Sequence, residues 1–245
     1  MIAALLMSAA LAADPAGFRV GTDAVNQLGI RQALVMNSDE PWLSQSTFAG
    51  RVILDDRMMI DVGLPAVYLW EPGADGEEQG LGQAFFGFGG YWSVYPGRRH
   101  QLELELYLPT SATRPSVAGW GSLARETLPG FAGLFAWEHS WTDLGRGPFT
   151  IRLATGVWSA NGLGGPIPLW PVFEVVVVKV FTVTDRVALV AEAEATVDRS
   201  PATLRTLGRL GGEHLSLDLG VQLPSASYSD SGGPVQIIGA TRVRF

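Results

Sequence analysis

The side chains most able to do chemistry are charged residues set at alternate positions among apolar ones. Between His100 and Leu108, Glu103 and Glu105 share a face with Gln101 and Tyr107, while Leu102, Leu104, Leu106 and Leu108 take the other. A helical period cannot produce that split; a β-strand does. The same alternation sets Asp218 against Leu215, Leu217, Leu219, Val221 and Leu223, and places Glu192 and Glu194 on the polar side of 187–197. Carried along the chain, the parity collects Arg31, Asp61, Glu103, Glu105, Arg152 and Glu192. It adds Glu194, Arg205, Arg209, Asp218, Arg242 and Arg244 to the same inward set. Both signs are interleaved in it, which suits an electrostatic network that fills a narrow interior better than a selectivity lining of one sign. Glu103 and Glu105 could in principle serve as acid and base, but that work needs a cleft, and they read as lining.

Other chemistries find little support. The chain has no cysteine, so thiolate metal sites, thiol nucleophiles and disulfides are excluded. His100, His139 and His214 read as three isolated histidines, two of them at turns, and neither a metal site nor a catalytic triad is expected. His139 and Ser140 are adjacent on one strand, point to opposite faces, and so cannot act as base and nucleophile on each other. The glycine-rich Gly80-Leu81-Gly82-Gln83 and Gly87-Phe88-Gly89-Gly90 are followed by no helix, so a phosphate loop fails its context. Glycines there relieve crowding within a sheet. A net charge of −7 offers no basic field to a phosphate backbone, and nucleic acid is excluded as a partner. No enzyme and no cofactor is expected.

These residues must be held by a sheet. With 245 residues, 30 glycines, 17% charged and 47% hydrophobic side chains, the chain reads as a single all-β domain. Strands are expected near 26–36, 47–54, 57–70, 82–95, 100–108, 130–142, 148–158, 169–183, 187–197, 203–211, 215–223 and 235–245. Short turns at Asp55-Asp56, Pro96 to Arg99, Gly145 to Gly147, Thr184-Asp185 and Gly212 to His214 alternate with longer connections near 37–46, 71–81, 109–129, 159–168, 198–202 and 224–234. That rhythm predicts a transmembrane, antiparallel, up-and-down β-barrel of about twelve strands, with short periplasmic turns and longer extracellular loops. A soluble β-sandwich is the rival, since its strands alternate as well. In strand 169–183 Glu174 and Lys179 have opposite parity, so one must sit at a rim or beside a bulge.

The ends fit export to the outer membrane of a Gram-negative bacterium. Residues 1–13 form an apolar run closing on Ala10-Leu11-Ala12, as in a cleaved signal peptide, which leaves 14–245 as the barrel domain. The last strand ends in Phe245, an aromatic carboxy terminus of the kind the barrel-assembly machinery reads. Tyr68, Trp70 and Trp158 at one set of strand ends, and Trp92, Tyr95, Trp141 and Phe245 at the other, are placed for two interfacial girdles against lipid and lipopolysaccharide.

Three segments in order carry a family resemblance. A strand ends near Gly63-Leu64-Pro65, Gly80-Leu81-Gly82-Gln83 opens a glycine-aromatic strand, and an alternating strand ends in Leu108-Pro109-Thr110. Together with Phe181 to Arg186 and Gly239 to Phe245, over roughly residues 57–245, this resembles the outer-membrane transporters associated with the meta-pathway of phenol degradation. Where that family commonly has Asp this chain has Gln83, and Ser111 stands where it has Gly. The resemblance implies a channel for small aromatic or otherwise apolar solutes, narrowed by the 109–129 loop with Trp120, Leu123 and Leu128. The alternatives are a non-conducting structural or surface-binding barrel and a lipid-modifying enzyme using His139.

Overall fold

The computed structural model describes residues 26–36, 42–55, 57–70, 77–108, 130–142, 144–160, 169–196, 202–212, 214–224 and 235–245. The expected signal peptide and the 109–129 loop lie outside the described residues. Thirteen strand segments make one antiparallel sheet: β1 (Gln27–Met36), β2 (Trp42–Ile53), β3 (Met58–Trp70), β4 (Glu77–Leu81), β5 (Ala84–Tyr95), β6 (Arg98–Leu108) and β7 (Gly130–Trp141), followed by β8 (Phe149–Ala160), β9 (Leu169–Thr184), β10 (Val187–Thr196), β11 (Thr203–Gly211), β12 (Leu215–Pro224) and β13 (Val235–Arg244).

Neighbours in sequence are neighbours in the sheet, and β1 pairs with both β2 and β13. β4 and β5 are two parts of a single stave against β3, so the sheet closes on itself as a twelve-stave barrel. Closure pairs every stave with both of its neighbours, and among the described residues only the β4 segment is paired on one side, so a chain without disulfides is held by its backbone ladder. The rival sandwich is excluded, because two stacked layers would require two sheets.

Two boundaries depart from expectation. β2 begins at Trp42, within a span expected as loop, because Gln45 is a polar residue at a buried inward position, in line with Thr47, rather than a loop residue. β4 also falls in an expected loop, and between it and β5 the pairing with β3 slips by one residue at Gln83. Pro65 causes the slip: Gly82 donates to its carbonyl at 2.8 Å, but proline has no N–H to return. The bulge turns Gln83 fully inward.

The five connections at one rim are short, as between β5 and β6, where Gly97 takes a φ of 76° in a turn of two residues. The start of β1 and the end of β13 lie at this same rim, with the Phe245 N–H bonded to the Asn26 carbonyl. The six connections from the other rim include the longest, those between β6 and β7, β8 and β9, and β12 and β13.

The two faces of the wall are inverted relative to a soluble protein. Outward positions carry exposed Phe48, Phe88, Leu104, Phe135, Leu204 and Leu219, the last 64% exposed. Inward positions carry buried polar and charged side chains, with two apolar clusters among them. Lys179 settles the parity conflict in β9. Glu174 is buried inward, while Lys179 projects outward near the short-turn rim and donates its Nζ to the carbonyls of Leu144 and Gly147.

Candidate functional site

The barrel interior is the candidate site. All twelve charged residues assigned inward by parity are buried there, none more than 9% exposed: Arg31, Asp61, Glu103, Glu105, Arg152, Glu192, Glu194, Arg205, Arg209, Asp218, Arg242 and Arg244. Arg51 and Glu138, which parity reasoning had missed, join them, as does Glu174, which it had left in conflict with Lys179.

Cross-strand register explains how they meet. Arg51 stands directly opposite Asp61, and their two-point contact runs at 2.7 and 2.6 Å. Arg209 stands opposite Asp218 and grips it with two bonds of 2.8 Å, while Arg242 on β13 adds a third at 3.0 Å. Arg205 faces Glu192 on one side and Gln222 on the other, and also reaches Glu194. Arg152 on β8 reaches further. It reaches past β7, where Glu138 stands opposite it, to Glu105 on β6, and it also holds Glu174 on β9. Paired guanidinium and carboxylate groups offset the large penalty of burying either alone.

Glycines make room for this packing. A Cβ on Gly87 would stand 2.1 Å from a carboxylate oxygen of Glu103, and one on Gly63 would stand 1.9 Å from the Phe85 ring. Both are inward positions filled by a neighbour's side chain, which is the crowding relief expected of strand glycines.

On the half of the interior toward the longer connections, Phe85, Tyr107, Ala132, Leu134 and Val172 form an apolar cluster with Trp158 packed against it. This corrects the girdle assignment of Trp158. It belongs to the inside, next to Trp170 across the β8–β9 ladder, because β8 turns its even-numbered positions inward. Trp92, Tyr95 and Phe245 are exposed at the short-turn rim, and Tyr68 is exposed near the other. The Trp70 side chain lies outside the described residues.

The histidines also differ from expectation. His100 lies on β6 rather than in a turn, directly opposite His139, and their rings approach with nitrogens 3.1 Å apart. Both face outward, within an aromatic patch of Trp92, Trp137 and Trp141. They read as isolated because 38 residues separate them in sequence, whereas the hairpin register makes them neighbours. Ser140 points inward and shares a 2.7 Å hydrogen bond with Thr150. Among the described residues no group of three or more potential metal ligands occurs.

No protein-family model and no curated protein sequence matches this chain. Among solved structures it is similar to the COG4313 outer membrane channel from Pseudomonas putida F1, at 11% identity over 95% of this chain and 98% of that one, with a TM-score of 0.60. Salmonella typhi OmpF, solved with daunomycin, superimposes more loosely (8% identity, 91% and 97% coverage, TM-score 0.41), as does Pseudomonas putida OprB (10%, 90% and 92%, 0.35). The first of these supports the fold, a twelve-stranded antiparallel barrel of the outer-membrane channel type. The looser two carry no weight.

Proposed function

We propose that this chain is an outer-membrane channel of a Gram-negative bacterium that passes small aromatic or otherwise apolar solutes. The observation that carries the reading is the inversion of the wall, with large apolar side chains outside and polar and ionisable ones inside. An exposed apolar band that encircles a closed barrel has no favourable solvent except hydrocarbon. The apolar cluster around Phe85, Tyr107 and Trp158 supports the solute class, since it offers an aromatic surface inside the barrel. Lipid and lipopolysaccharide are the surroundings this implies. Membership of the phenol meta-pathway transporters rests on the sequence resemblance alone.

One observation favours a second reading, a non-conducting barrel: the bridging arginines Arg152, Arg205 and Arg209 are 0–3% exposed, as in a filled interior. Single-channel recording in planar bilayers separates the two. Discrete conductance steps from folded protein are expected, and a folded protein that never conducts overturns the channel. The lipid-modifying alternative predicts a hydrolytic activity that His139→Ala abolishes.

A further inference from the structure

The buried charges are sorted around the barrel wall. Among the described residues, the buried inward carboxylates and guanidiniums on the seven consecutive staves from β3 to β10 are seven carboxylates and one arginine, Arg152. On the remaining five staves, β11, β12, β13, β1 and β2, they are six arginines and one carboxylate, Asp218. The middle staves of the two arcs, β7 and β13, are six apart in a ring of twelve, so the arcs face each other across the lumen.

Ion pairs sit where the arcs meet. Arg51 and Asp61 bridge the β2–β3 border at 2.6 Å, and Arg205 bridges the β10–β11 border to Glu192 and Glu194. Within each arc the lone opposite charge is shared between two neighbours, Arg152 by Glu105 and Glu174, and Asp218 by Arg209 and Arg242. Counted as formal charges among the described residues, the excess is six negative on one wall and five positive on the other, so the two nearly cancel.

Opposed walls of opposite sign act on a dipole rather than on a net charge. A monovalent ion is drawn to one wall and repelled by the other, whereas a molecule carrying both an ammonium and a carboxylate satisfies both walls at once. The apolar cluster that contains Phe85, Tyr107 and Leu134 lies on the acidic side, toward the longer connections, where it can cover an apolar body as the charged ends align.

We propose that the preferred solute is a small zwitterion with an apolar or aromatic body, held across the lumen between the acidic β3–β10 wall and the arginine wall of β11–β2. This rests on the channel reading and narrows its solute class. The charged groups select the solute by orienting it, and no covalent step is involved.

Uptake into proteoliposomes tests it, with leak into protein-free vesicles subtracted. The probes are zwitterionic L-phenylalanine, anionic N-acetyl-L-phenylalanine and the neutral N-acetyl-L-phenylalanine amide, which share one aromatic body. Phenylalanine is expected to enter at least about five-fold faster than either blocked form. The double variant Arg31→Gln with Glu103→Gln removes one charge from each wall at constant net charge and is expected to bring the three rates together. Arg242→Gln with Glu138→Gln does the same with different residues, should the first pair fail to fold. Equal rates for the three probes in the unaltered protein overturn the proposal and leave the channel standing. So does a phenylalanine preference that survives both double variants. If none of the three enters through folded protein, the channel reading falls and the proposal with it.

Discussion

Arg152 offers the sharpest test of the interior. Its side chain is 2% exposed and bridges Glu105 and Glu174, which are 3% and 2% exposed as side chains, across a span of four neighbouring staves, β6 to β9. Arg152→Met keeps the length and apolar stem but leaves two carboxylates facing each other without their shared cation. Removing one partner of a buried pair costs about 3–5 kcal/mol, chiefly the burial of the charge left behind. Two stranded carboxylates place this variant at the upper end of that range. The triple variant Arg152→Met, Glu105→Gln, Glu174→Gln removes every charge of the group and should lie within about 2 kcal/mol of the unaltered protein. Denaturant unfolding from lipid vesicles, followed by the fluorescence of the eight tryptophans, measures both. The reasoning is refuted if Arg152→Met loses less than about 1 kcal/mol, or if the triple variant is as unstable as the single one.

Other outcomes follow from the same structure. Arg209→Met should cost clearly less than Arg152→Met, because Asp218 keeps Arg242 at 3.0 Å; the same unfolding measurement compares them. Gly63→Val should destabilise by about 1–3 kcal/mol through collision with the Phe85 ring, and Phe85→Leu in the same chain should recover part of the loss. Leu104→Arg, at an outward mid-strand position, should cost about 2–4 kcal/mol in lipid, and its unfolding midpoint in vesicles reports this.

Much of this architecture is legible in the sequence, because strand alternation is a local signal. The leucine and glutamate runs at 100–108 and 187–197 state which face is which, and the short turns state where the chain reverses. What escaped detection had an ambiguous local signal. Arg51 precedes Val52-Ile53-Leu54, an apolar run on both parities, and Glu138 sits between Trp137 and His139, which suit either face. Glu77 to Leu81 is rich in acid and glycine and reads as loop, although it extends a stave. Register is not local at all, so the contact of His100 with His139 could not be seen.

The charge pattern was legible and was misread as interleaved. In an up-and-down barrel the order in sequence is the order around the ring. The acidic block from Asp61 to Glu194, with arginines Arg31 before it and Arg205 to Arg244 after it, is thus a spatial division. Scattered exceptions, Arg152 and Asp218, hide it along the chain, and the geometry shows each to be the centre of its own ion group.

The absence of native cysteine allows single spin labels to be placed along β12 without background. With labels at 216 to 221 in lipid vesicles, relaxation by oxygen and by a water-soluble nickel chelate should alternate: strong oxygen contact and little nickel at 217, 219 and 221, and the opposite, or burial from both, at 216, 218 and 220. A profile without that alternation, or one with nickel at the leucine positions, would contradict a wall that shows hydrocarbon its leucines and keeps its charges within.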